Sequence, residues 1–299
     1  MTLSHTPGTE VPSRSYQELD RYATDELVQA FVQDQAGAVA AVQSAAKDLA
    51  LAVDASAERL ARGGRLIYAG AGTSGRLGVL DAVELFPTFS WSRDRAPALL
   101  AGGSSAMFLA VEGAEDNREQ AAIDLLALEP RQEDVVFAIA ASGATPFAIA
   151  VLEAAKPKGC LRIAMTNNPG APLIDAAEIG IVLDTGSEVI SGSTRLKAGT
   201  AQKIALNSFS SSVMVKLHKV YGNLMVDLRA TNAKLYRRAL RLTMMASGAN
   251  EAQADETLLA CGYRVKVAIV MLKCGLRAHQ AEALLDAHAG DLRAALGER

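Results

Sequence analysis

Four short stretches of this sequence combine residues that could do chemistry. The first is Gly70-Ala71-Gly72-Thr73-Ser74-Gly75-Arg76. Just before it, the apolar run 66–69 reads as a buried parallel strand. Just after it, residues 77–85 read as a mostly apolar helix. A helix start offers N–H groups without partners and the positive end of a dipole. Gly72 lets backbone approach an anion there, and Thr73 and Ser74 add hydroxyl donors. The expected structure is a cradle for a phosphate or a carboxylate.

The second stretch repeats that design. Strand-like residues 135–139 lead into Ala140-Ala141-Ser142-Gly143-Ala144-Thr145-Pro146, and helical residues 147–155 follow. Pro146 suits a first helical turn. Two hydroxyl-bearing turns on adjacent strands suit a monophosphate better than a dinucleotide. Gly70, Gly72 and Gly75 do fit the dinucleotide fingerprint, which also needs an acid at the end of the next strand. That run, 98–101, ends in Gly102-Gly103-Ser104-Ser105, with no acid. A P-loop would need Lys before the Ser or Thr, and Arg76 follows Ser74 instead.

The third feature is a set of carboxylates. Glu112, Glu115 and Asp116 interrupt an apolar pattern before a helix that starts near Arg118. Read blandly, they are an acidic cap cluster, favourable near a helix N-terminus. Glu84 sits in the apolar run 83–86, one helix after the Ser74 turn. Such surroundings would raise its pKa and suit a proton donor; its plain alternative is an exposed helix-end carboxylate. The fourth stretch runs from Glu188 through Ser193, Thr194, Arg195 and Lys197 to Thr200. Ser193 looks like an N-cap of a long helix reaching about Tyr221. Cations disfavour a helix N-terminus unless an anion is bound there.

The elements that must position these residues alternate. Candidate strands are 65–69, 98–101, 134–139, 161–165 and 179–183, with helical segments between most of them. Such alternation predicts an α/β fold, a parallel five-stranded sheet with helices on both faces. Ligands of such sheets bind beyond the strand C-terminal ends, where both Ser-Gly turns fall. Residues 25–62 have helical spacing. After residue 227 short helices form a small C-terminal bundle, in which packing or dimer formation is the preferred reading. The expected domains are 1–53, an N-terminal segment and helices; 54–222, the sheet; and 223–299, the bundle.

Composition bounds the partners. The chain has 299 residues, 50% of them hydrophobic, enough for a sizeable core. A net charge of -3 gives no bulk attraction to nucleic acid or anionic membrane. Residues 1–50 carry seven acids against three Lys or Arg, unlike a basic DNA-binding module. Cys160, Cys261 and Cys274 read as buried free thiols of a reducing compartment, and the four histidines suggest no zinc site. Residues 1–17 are polar and form no apolar signal region, and no stretch of 18 uninterrupted apolar residues occurs, so a cytoplasmic protein is expected.

Taken together, the stretches resemble the N-acetylmuramic acid 6-phosphate etherases over nearly the whole chain. The resemblance rests on Gly70–Gly78, Val111–Asp116, Ala140–Gly143, Gly192–Lys203, Tyr221–Asp227 and Ala230-Thr231-Asn232. It implies a sugar-isomerase (SIS) domain, N-terminal helices and a ubiquitin-associated-like C-terminal bundle. It implies a cytoplasmic homodimer of cell-wall recycling that needs neither metal nor nucleotide cofactor. The implied acid catalyst is Glu84 and the second catalytic carboxylate is Glu115. The implied contacts to the sugar phosphate are Gly72, Thr73, Ser74, Ser142, Gly143, Thr145, Ser193, Thr194 and Lys197. Four positions depart from the family pattern. Glu84-Leu85-Phe86-Pro87-Thr88 stands for Glu-Cys-Pro-Pro-Thr, Ala144 for Arg and Phe147 for Tyr. An expected N-terminal Arg-Asn-Pro appears only as Pro12-Ser13-Arg14-Ser15, which leaves open any substrate contact from that segment. A sugar-phosphate sensor would keep the Ser-Gly turns without needing Glu84 or Glu115. An aldose–ketose isomerase would share the base and release no lactate.

Overall fold

The structure, a computed structural model, describes residues 6–228, 230 and 232–298. Thr231, in one of the family-like motifs, lies outside the described residues. The N-terminal helical pattern resolves into three helices: α1 (Thr24–Asp34), α2 (Ala36–Ser44) and α3 (Ala46–Ala61). Alternation follows: β1 (Leu66–Gly70), α4 (Gly72–Phe89), β2 (Ala98–Leu100), α5 (Arg118–Ala127), β3 (Val135–Ile139), α6 (Pro146–Ala155), β4 (Leu161–Thr166), α7 (Pro172–Asp175) and β5 (Ile179–Val182). Then come α8 (Lys197–Lys216), a small hairpin of β6 (Val220–Tyr221) and β7 (Leu224–Met225), and α9 (Ala233–Ser247), α10 (Glu251–Ala260), α11 (Val265–Cys274), α12 (Ala278–Ala287) and α13 (Leu292–Ala295).

The five predicted strands pair in parallel, in the order β2-β1-β3-β4-β5. β1 and β3 are buried at every position, which explains their unbroken apolar sequence. Side chains alternate between faces. Ile67, Ala69, Val136 and Ala138 join Leu125, Phe147, Val151 and Leu173 in one core, so α5, α6 and α7 cover that face. Tyr68 and Phe137 point the other way, toward Phe209 of α8. The Tyr68 hydroxyl donates to Asp81 of α4 at 2.6 Å, and Ser210 of α8 donates to the same carboxylate at 3.2 Å. Burial, with Asp81 beside it, raises the Tyr68 hydroxyl well above the ordinary tyrosine range. At the opposite strand ends Arg65 grips buried Asp134 at 2.6 Å, and the amides of Arg65 and Arg131 add bonds of 2.9 Å.

The chain divides into two compact units, residues 1–82 with 94–210, and residues 83–93 with 211–299. The first holds the sheet. The second has its own core, in which Val226, Leu242, Leu258, Ala268, Ile269 and Leu285 pack together. No single helix among the described residues is long and apolar enough to cross a membrane.

Several local expectations change. The mostly apolar residues ahead of the acidic cluster, 104–111, form one 3-10 turn, Ser104–Met107, and no longer helix. Ser193 is not an N-cap, because Gly192 at φ +74° starts a run of tight turns and α8 begins only at Lys197. The same helix stops at Lys216, short of Tyr221, and Tyr221 belongs to the hairpin. Cys160 and Cys261 are buried free thiols, but Cys274, last in α11 before the Gly275 turn, is exposed.

Candidate active site

Strand order reverses between β1 and β3, and sheets of this kind bind ligands in the crevice at such a point. Gly70 pairs with Ile139, so the chain leaves both strands at the same level. The Gly72–Ser74 and Ser142–Thr145 turns therefore emerge side by side, as the sequence leads one to expect. The glycines do more than admit a ligand. A Cβ on Gly75 would lie 2.5 Å from the Gly70 carbonyl oxygen and from Leu100 Cδ1, so this glycine lets α4 pack against the strand ends. Gly143 has φ +67°, and a Cβ there would collide with Ala171 and Thr166. The spacing of Gly70 and Gly75 serves helix–sheet packing.

Each turn keeps donors for an anion. Ser74 is buried in the first turn of α4, where helix geometry leaves the N–H groups of Gly72, Thr73 and Ser74 without intrahelical acceptors. Ser142 Oγ accepts from the Ala144 amide at 3.2 Å, which fixes the hydroxyl and leaves its proton to donate. Thr145 is the N-cap residue of α6, yet its side chain makes no capping bond. Ser142 and Ala144 line a cavity of about 920 Å³ with Asn168, Gly170, Asp184 and residues 6–8. Ala144 is exposed there; Phe147 points into the core.

The third turn is built differently. The buried Glu188 carboxylate accepts from the Lys197 amide at 2.9 Å and the Ala198 amide at 2.8 Å. The start of α8 therefore already holds its anion, and the following amides, Gly199 and Thr200, bond Thr194 and Leu196 carbonyls. Burial pushes the Glu188 carboxyl up, against those backbone bonds and the Lys197 charge. The Lys197 ammonium is turned inward, to Asp34 at 2.9 Å and the Ser187 carbonyl at 2.7 Å. It holds α1 to this loop rather than presenting a free cation at the Ser193-Thr194 turn. What Ser193 and Thr194 offer is hydroxyls, both half-buried. A Cβ on Gly199 would lie 3.5 Å from Thr73, which puts the start of α8 beside the first turn of α4.

Of the two carboxylates, Glu115 belongs to this edge. It lines a cavity of about 210 Å³ with Gly72, Arg76, Ala101 and Glu112. Arg76 Nε donates to the Ala106 carbonyl at 2.9 Å, tying α4 to the turn before the acidic loop. The acids are not the cap of α5; Asn117 is, accepting from the Gln120 amide at 2.9 Å. Glu84 falls in the second unit and is exposed, not enclosed by apolar groups as its run suggested. Residues 83–86 wrap around the helix, so Leu85 is buried while neighbouring Val83 is 60% exposed. Arg76 and Glu188 fall within the first and fourth chemical stretches and Asn168 just past the fourth strand, and residue type alone gives no sign of their contacts. Among the described residues no three His, Cys, Asp or Glu group as metal ligands would.

Relatives extend this geometry. Residues 48–156 match the N-terminal SIS domain of glucokinase regulatory protein, 120–211 match the SIS domain, and 222–283 match the C-terminal lid domain of glucokinase regulatory protein. An N-acetylmuramic acid 6-phosphate etherase of Deinococcus radiodurans is 53% identical over 290 residues, 97% of this chain and 95% of that one. The chain belongs to the N-acetylmuramic acid 6-phosphate etherase family. Further etherases, from an Enterobacter species and Enterococcus faecalis, are 49% and 47% identical, each over 94% of its own length. In this etherase the 120–211 match contains the Ser142 turn, Glu188 and the Ser193-Thr194 turn. The Ser74 turn and Glu115 lie within the 48–156 match.

Proposed function

We propose that this chain, like the etherases it matches, acts on N-acetylmuramic acid 6-phosphate. It cleaves the D-lactyl ether with water, giving N-acetylglucosamine 6-phosphate and D-lactate, a lyase step in the reuse of cell-wall amino sugar. The observation that supports this most is 53% identity to an etherase over 97% of the chain, with a pair of hydroxyl-bearing turns at the sheet's switch point.

In this reading Gly72, Thr73, Ser74, Ser142, Gly143 and Thr145 hold the phosphate, with Ser193 and Thr194 closing over it. Lys197 acts on that turn through its pairing with Asp34. The phosphate is a remote handle that holds the reacting carbons in place. The open-chain sugar carries an aldehyde that acidifies the neighbouring C–H. Glu115 takes that proton, and the electrons form a carbon–carbon double bond as the ether C–O bond breaks. Glu84 gives a proton to the departing oxygen, releasing lactate. Water then adds across the double bond. An elimination of this kind needs one group to take the proton and another to give one, and the two carboxylates fill those roles. The domain assignment is an N-terminal segment at 1–53, a sugar-phosphate-binding domain at 54–222 and a helical domain at 223–299.

The same proposal includes a cytoplasmic homodimer. Val28, Val32, Val39 and Leu51 of α1–α3 and Val215 of α8 are exposed apolar residues, which a second copy would cover. Incubating purified protein with N-acetylmuramic acid 6-phosphate and assaying D-lactate tests the function. Lactate release is expected. A ketose product without lactate would indicate an isomerase, and binding without turnover a sensor.

A further inference from the structure

We propose that Thr9 is a positioning residue that staples the Ser142 turn to the Ser193-Thr194 loop, and so sets the shape of the sugar-phosphate site. The inference rests on the assignment of that site given above. Thr9 sits in a single 3-10 turn, Gly8–Glu10, near the start of the described chain, yet it is fully buried. A buried polar residue must find partners for its polar groups. Thr9 finds them in two places. Its amide donates to Asn168 Oδ1 at 3.2 Å, and its hydroxyl oxygen accepts from Asn168 Nδ2 at 3.0 Å. Its carbonyl accepts from the Gly192 amide at 3.2 Å.

Each partner leads directly to a hydroxyl of the site. Asn168 Nδ2 also donates to the Ala141 carbonyl at 2.9 Å, and Ala141 precedes Ser142. Gly192 precedes Ser193. The contact on that side is close: Gly192 has φ +74°, and a Cβ there would lie 3.1 Å from Glu10 Oε2. Ser191 Oγ donates to the Glu10 carbonyl at 3.3 Å. Glu188 holds the base of the loop at α8, but at its tip the bonds that leave the loop run to Thr9, Glu10 and the first turn of α8. Residues 6–8 and 11 then wall the cavity that Ser142 and Ala144 line. A loop fixed before the ligand arrives loses less freedom on binding. The staple therefore acts on affinity for the phosphate end, not on the proton transfers.

Thr9→Val keeps the shape and the backbone bonds but removes the oxygen that Asn168 meets. It is expected to raise KM for N-acetylmuramic acid 6-phosphate about fivefold to tenfold, the scale of one buried hydrogen bond. The inhibition constant of inorganic phosphate should rise in parallel, with kcat within about twofold, and Thr9→Ser should restore both constants. Coupling is reciprocal. In the unmodified protein, inorganic phosphate should therefore slow hydrogen exchange at the amides of Thr9 and Gly192. That measurement stands even if the Val variant fails to fold. Wild-type kinetics in Thr9→Val, or no change in exchange while phosphate binds, would overturn the staple alone. Failure of the unmodified protein to bind phosphate would overturn the site on which it rests.

Discussion

Glu84 and Glu115 divide the proposed chemistry between them. Replacing either with Gln keeps its size and removes its proton chemistry. Each change is expected to lower lactate release about a hundredfold or more, the usual scale for a positioned acid or base. Exchange of the hydrogen beside the aldehyde with heavy water separates the roles: it should survive in Glu84→Gln and vanish in Glu115→Gln. Survival in Glu115→Gln with loss in Glu84→Gln would reverse the assignment. Asp134 makes a prediction about stability. Burial opposes its charge, but the bonds from Arg65 and from the Arg131 and Arg65 amides win and hold its carboxyl below the usual range. The unfolded chain therefore binds more protons in acid. The stability this pair gives is complete above the unfolded value, about 3.9, and is lost as pH falls through the lower folded value. Asp134→Asn should flatten that part of the acid-unfolding profile and cost about 3 kcal/mol near neutrality by chemical denaturation. An unchanged profile would show that the pair contributes nothing. Residue types in sequence single out Ser74, Ser142 and the carboxylates as candidates. They could not disclose Glu188 as the cap of α8, because its amide partners, Lys197 and Ala198, are nine and ten residues away.

Turns, more than helices, decide where the site stands. The strands were legible to within a residue or two because each is short and mostly apolar, and a turn former (Gly, Ser, Asn or Asp) follows within three residues. The start of α8 was not, because Ser193 has the type of an N-cap but lies among the turns that follow Gly192. The apolar run around Glu84 misled for a related reason: contiguity along a helix is not enclosure. The Ser142 turn offers an element-scale test. Gly143→Ala adds one methyl at a positive φ, where it meets Ala171 and Thr166. It should lower Tm by several degrees and raise KM together, since both strain and collision fall on the turn itself. Wild-type Tm and KM would show that the turn tolerates side chains and is not the fixed cradle described.

At the scale of the whole chain, the parallel sheet and the helical C-terminal unit follow from the alternation of patterns and its end after residue 227. The division between the units was not legible, because α4 and α8 are each shared by both and no Gly or Pro linker marks a boundary within them. The exposed valines of α1–α3 predict a dimer, and sedimentation at micromolar concentration checks it; a fully active monomer would contradict it. In the proposed reaction the ether opens by elimination on the sugar side. Turnover of N-acetylmuramic acid 6-phosphate in oxygen-18 water, followed by mass spectrometry of both products, tests it most directly. The label should enter N-acetylglucosamine 6-phosphate and leave D-lactate unlabelled. Oxygen-18 in lactate, or no lactate at all, would contradict it.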